Sequence, residues 1–152
     1  MVANKSVTMD ESWESAETNT HQDHVIAHVV GTTILGYFLL ADAIHLLLDI
    51  GFMWKIYSDA EMGLLPHPVA VPELQVPDDE RKQIAFEIDA RLRGVDEAAK
   101  FRTLQLLTSE CLIEEVEMFF GQGKKKLILR GEQSDVELEL QDDAISLKEV
   151  QK

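Results

Sequence analysis

Cysteine is nearly absent: Cys111 is the only one in 152 residues. No internal disulfide and no cysteine zinc site can form from it, so the fold has to rest on a hydrophobic core. A reducing compartment fits that usage. Proline is confined to one stretch, PHPVAVPELQVP, from Pro66 to Pro77. Without amide hydrogens at those positions, the stretch must be loop or edge strand. Its alternating apolar residues Val69, Val71, Leu74 and Val76 are expected to lie along the domain. Positive charge is also scarce, with 14 Lys and Arg against 28 Asp and Glu, a net charge of -14. Such a surface repels nucleic-acid phosphates and anionic lipid heads, and it suits plain solubility or a basic protein partner.

Signatures of chemistry are missing too. No G-x-S-x-G or H-E-x-x-H pattern occurs, which removes two common marks of hydrolases. GQGKKK, at 121–126, lacks the spacing and the Ser or Thr of a P-loop. It also reads as a hairpin turn, where no helix dipole helps to hold a phosphate. Lys124, Lys125 and Lys126 are the only basic cluster, and they are expected to neutralise a neighbouring acidic strand. Cys111 has Glu110 on one side and Leu112 and Ile113 on the other. Those surroundings raise a thiol pKa, so it reads as an inert core residue.

What is present is ordinary for a folded chain. The 45% apolar and 28% charged shares exclude bulk disorder, and the length suits one domain with a real core. The first twenty residues, MVANKSVTMDESWESAETNT, contain no apolar run and turn acidic within ten positions. They do not read as a signal peptide. Residues 1–22 are expected to form a flexible acidic arm, with Trp13 as its one large apolar group, and residues 23–152 a single α+β domain.

The stretch from His28 to Trp54 is nearly all apolar yet carries His28, Asp42, His45 and Asp49. Its uncharged part, Val25 to Ala41, would be about 26 Å long as a helix, short of a bilayer core of about 30 Å. Asp23 and Asp42 flank it, and no Lys/Arg cluster orients it. A soluble, cytoplasmic protein is therefore expected. Val25, Ile26, Val29, Val30, Thr32, Thr33 and Ile34 are β-branched. They predict a strand near 25–37, buried on both faces because apolar residues occupy both parities. From Leu39 to Ile50 the polar residues Asp42, His45 and Asp49 are spaced i, i+3, i+7. That spacing predicts a buried helix near 39–50 with one polar seam, ended by Gly51. A strand near 52–59 follows.

DDERKQIAFEIDARLRG predicts a helix near 78–93. Asp78 can cap it, Ile84, Ile88 and Leu92 form its stripe, Glu87–Arg91 and Asp89–Arg93 are surface pairs, and Gly94 stops it. Residues 96–109 start as a third helix, although 101–109 read equally as strand. The end reads as a β-meander, with strands near 111–120, 124–131 and 135–141. In DVELEL, Val136, Leu138 and Leu140 point inward and Glu137 and Glu139 outward. AISLKEV reads as a short terminal helix. The fold class is therefore α+β, a mostly antiparallel sheet with two or three helices packed on it.

Two functional readings compete, with a third behind them. The preferred one is binding to other protein chains, including self-association as a homodimer, because surplus apolar surface accompanies an absence of chemistry. The second is a metal-dependent enzyme or metal-binding protein. His24, His28, Asp42, His45 and Asp49 are its candidate ligands, for zinc or for another divalent metal with carboxylates. The plainer account of the seam is structural: Asp49, opposed by the helix dipole, would need His45 or Lys55 as a partner. The third reading is membrane association through residues 25–54. No nucleic-acid partner is expected.

Overall fold

In the computed structural model, residues 14–15, 17–18, 20–40, 43–51, 53–58, 62–64, 71–121, 123–141 and 144–152 are described. Trp13, Asp42, Val69 and the prolines at 66 and 68 fall outside them. In chain order the elements are β1 (Glu14–Ser15), α1 (Thr20–Val29), β2 (Thr33–Leu40), β3 (Ala43–Leu48), β4 (Met53–Ser58) and β5 (Met62–Leu64). Then come α2 (Asp78–Leu92), β6 (Cys111–Leu112), β7 (Glu115–Gly121), β8 (Lys124–Arg130), β9 (Ser134–Gln141) and β10 (Ala144–Gln151). The class is α+β and dominated by sheet, as the sequence predicts. All strand pairings are antiparallel, in two five-stranded sheets ordered β1-β7-β8-β9-β10 and β5-β4-β3-β2-β6.

The alternation along β9 shows how the sheets meet. Val136, Leu138 and Leu140 are buried in one cluster with Leu127 and Leu129 of β8, and the same cluster holds Ile44, Leu46, Leu48, Trp54 and Ile56 of the other sheet. The sheets therefore pack face to face. Val25 and Val29 of α1 enter the same core. Leu47, Phe38 and Met53 point the other way, into a second cluster with Leu74, Ile84, Ile88 and Leu104. Thus α2 and the segments around Leu74 and Leu104 form a third layer, and β2–β4 lie in the middle.

That middle position explains a correction. Of the stretch 39–50, the described residues are not helical: Leu39 and Leu40 end β2 and Ala43–Leu48 is β3, which pair with Leu40 opposite Ala43. A strand buried on both faces loses its apolar/polar alternation. With the period of two erased, the chance i, i+3, i+7 spacing imitates a helical stripe. A second correction lies just upstream. The strand expected near 25–37 begins only at Thr33, and Thr20–Val29 is helix α1. Val25 and Val29, one turn apart, are both buried in the core, and that burial outweighs the β-branched preference. Gly31 takes a left-handed φ of 95° between helix and strand.

Two smaller corrections follow. Residues 96–109 hold one 3-10 turn, Ala98–Lys100, and the chain beyond it runs beside β2. There Tyr37 and Gln105 exchange backbone hydrogen bonds of 2.9 and 2.7 Å. Gly36 permits that approach, because a Cβ on it would lie 2.8 Å from the Gln105 carbonyl oxygen. AISLKEV is strand β10, paired along its length with β9. Its apolar residues Ile145 and Leu147 sit opposite Leu140 and Leu138, so the neighbouring strand sets its conformation. The strands near 52–59, 124–131 and 135–141 and the helix near 78–93 are present with small boundary shifts, whereas the strand expected near 111–120 is divided between the two sheets, Cys111–Leu112 pairing with β2 and Glu115–Gly121 with β8. Val71, Leu74 and Val76 pack against the second cluster, as the proline stretch suggested. Among the described residues, no helix is long and apolar enough to cross a membrane.

Candidate functional site

Among the described residues, the histidines and carboxylates singled out by the sequence do not converge. His45 sits on β3 facing α2, with 3% of its surface exposed. Its ring stacks on Phe38 at 4.9 Å between centroids, the planes 2° apart. Burial, and then the charge of Lys55 directly across the strand pair, push its pKa down to about 4. Nδ1 has no hydrogen-bond partner. Asp49 lies just past the strand. Its Oδ1 accepts the Thr33 amide at 3.1 Å, and its own amide donates to the Thr33 carbonyl at 2.9 Å. The expected Asp49 pairing with His45 or Lys55 is therefore replaced by a backbone contact. Four residues along a strand span about 13 Å, whereas one helical turn would have stacked them about 6 Å apart.

His24 and His28 share an exposed face of α1, with ring centroids 5.0 Å apart and edges toward faces. Because α1 packs into the core between the sheets, this pair and His45 belong to different layers. Asp42 is outside the described residues. Among those described, no three His, Cys, Asp or Glu side chains come together around one point. Cys111 is buried, and desolvation, with the charge of Asp135 behind it, pushes its thiol up to about 11. That leaves almost no thiolate at neutral pH. Lys126 Nζ lies 3.7 Å from Glu137 on β9, the neutralisation expected of the lysine run.

Sequence reasoning placed Glu87 and Arg91 on the surface of α2, and both are buried. Glu87 accepts the Leu104 amide at 2.8 Å, the Thr103 amide at 3.0 Å and the Gln83 side-chain amide at 2.7 Å. Burial by itself would raise its pKa; these donors outweigh burial and hold it below the usual value. Arg91 donates Nε to the Leu35 carbonyl at 3.0 Å and a second nitrogen to the Val95 carbonyl at 3.4 Å. Its remaining nitrogen lies 3.4 Å from Glu110. Only the approximate i, i+4 spacing hinted at a link, and it pointed to the wrong partners. The Asp89–Arg93 pair does form, at 2.8 Å.

Beside Arg91, at the C-terminal end of α2, the surface opens. The opening is a shallow groove of about 440 Å³ whose walls include Thr33, Leu35, Asp49, Leu92, Asp96 and Glu110. Of the exposed apolar side chains, Leu92 lines it, and three others, Leu112, Ile50 and Val30, belong to segments next to its lining residues. Leu112 stands opposite Thr33 across the β2–β6 pair, and Ile50 follows Asp49. Leu92 is part of the wall. Val30 precedes the turn in which the Gly31 amide donates to the Ile113 carbonyl. These residues are 40–56% exposed, and they are four of the seven large hydrophobics in that state among the described residues. A second groove, of about 450 Å³ near the start of α2, is lined by the polar residues Asp79, Glu80, Gln83, Arg102 and Thr103.

Comparison with known proteins finds no matching family model, no matching curated protein and no matching solved structure.

Proposed function

We propose that the protein binds other protein chains through the groove beside Arg91, which Leu92 lines, together with the adjoining exposed residues Ile50, Leu112 and Val30. The placement of four exposed apolar residues on or next to the segments that line the groove carries the reading. Single exposed hydrophobics are normal on any surface, whereas a cluster rimmed by polar groups marks an interaction surface. Three of the four come from turns or strand ends, so their exposure is not forced by a helix that must present some apolar residue. A reducing, cytoplasmic setting accords with a single buried thiol. The metal-enzyme reading has less support, because among the described residues no three His, Cys, Asp or Glu side chains come together.

Site-specific photo-crosslinking in the cells that naturally make the protein tests this. A photoreactive residue in place of Leu112 should give discrete adducts, and one in place of Phe86, exposed on the outer side of α2, should give none. Equal labelling from both positions, or no adduct from the first, would remove the proposal. Adducts of twice the chain mass would identify a second copy as the partner.

A further inference from the structure

We infer that the groove takes a basic segment of a partner protein, one that sets Lys or Arg beside aliphatic side chains. The inference rests on the protein-binding reading above. The charges nearest the groove are the carboxylates Asp49, Asp96 and Glu110 against the single guanidinium of Arg91. That guanidinium is engaged by the carbonyls of Leu35 and Val95 and lies 3.4 Å from Glu110, which leaves Asp49 and Asp96 as the carboxylates with no cation of the groove beside them. The C-terminal end of α2 forms one wall, so the negative end of a 15-residue helix dipole adds to the same field. Around it lies a chain of net charge -14, which draws cations toward the surface and speeds their encounter. Leu35 and Leu92 give the groove apolar walls, against which the stem of a Lys or Arg can lie while its head meets the carboxylates. Ile50 and Leu112 offer the adjoining aliphatic contact.

The same arrangement disfavours a second copy of this chain. A two-fold interface would place the same acidic rim on both sides, and like charges set against each other cost affinity. Nucleic acid and anionic membranes are repelled for the same reason.

The test is fluorescence anisotropy of labelled peptides with the full chain. One short peptide alternates Leu with Lys and Arg. A second replaces its basic residues by Glu, and a third keeps the charges but replaces Leu by Ser. Only the first should bind well. Its affinity should fall by about tenfold or more in a variant carrying Asp49→Asn, Asp96→Asn and Glu110→Gln, and on raising NaCl from about 50 mM to about 0.5 M. Asn at position 49 keeps the acceptor for Thr33, and circular dichroism checks that the variant is folded. The variant Ile50→Ser with Leu112→Ser should also weaken binding. If the acidic peptide binds equally, or the carboxylate variant binds unchanged, the basic partner is wrong. Loss in the Ile50/Leu112 variant would then still leave the contact surface standing. If neither variant matters, both readings fail. Light scattering that shows a dimer abolished by the Ile50/Leu112 variant would make a second copy the occupant and overturn the basic partner.

Discussion

His45 shows what one residue in the middle layer costs and contributes. Its imidazole is buried, stacked on Phe38 and faced by Lys55, so the charged form is disfavoured. A folded pKa of about 4 against the ordinary 6.5 means that the unfolded chain binds more protons between those values. Stability from this group is therefore full above pH 6.5 and is lost as the pH falls toward 4. The shift corresponds to about 3 kcal/mol. His45→Phe keeps an aromatic on Phe38 and removes both the titration and the unpaired Nδ1. Urea denaturation should find the variant equal to the parent or about 1 kcal/mol more stable at pH 7, with a gap that widens as the pH drops from 6.5 to 4. Parallel curves would show that the imidazole titrates normally in the fold. The sequence made this residue conspicuous, as a polar group in an apolar run, but it suggested a bonded partner where the structure supplies a stacked ring.

At the scale of the element, α2 is held by more than its apolar stripe. Ile84 and Ile88 bury against the middle sheet, while Leu92, the third member of the stripe, is exposed at the groove. Glu87 ties the helix to the chain at Thr103 and Leu104, and Arg91 ties it to β2. Glu87→Ala leaves two backbone amides without their acceptor, and should lower the unfolding free energy by about 2–3 kcal/mol. Glu87→Gln keeps an acceptor oxygen and should cost about half as much. The parent carboxyl sits below its ordinary value, so its contribution is present above that value and is lost as the pH falls through the lowered one. Equal stability of all three proteins in chemical denaturation would show that the clamp contributes nothing.

At the scale of the molecule, the excess of 28 acidic over 14 basic residues sets a self-repulsion that opposes the compact state. Several ion pairs relieve it locally, among them Arg130 with Glu117 at 2.6 Å and with Asp135 at 3.2 Å. Exposed pairs contribute about 0–1 kcal/mol each, so the general repulsion should outweigh them. Raising NaCl from about 10 mM to about 0.2 M shortens the screening length to under ~10 Å and should raise the thermal midpoint by a few degrees. A midpoint that falls with salt would mean that specific pairs dominate.

The sequence by itself determined the class, the meander and α2. Those elements each have one wet face, so the period of two in Val136, Leu138 and Leu140 and the i, i+4 spacing of Ile84 and Ile88 survive in the residue order. Tertiary structure alone decided three things. Burial on both faces made β3 a strand although its polar spacing imitates a helix. The space between two sheets made residues 20–29 a helix although its second half is rich in β-branched residues. Tertiary packing brought Thr33, Asp49, Leu92, Asp96 and Glu110 around one groove, with Leu112 paired opposite Thr33. These residues are separated by up to about eighty positions and follow no shared period. Their meeting depends on which strand lies beside which, and local residue order carries no physical trace of that.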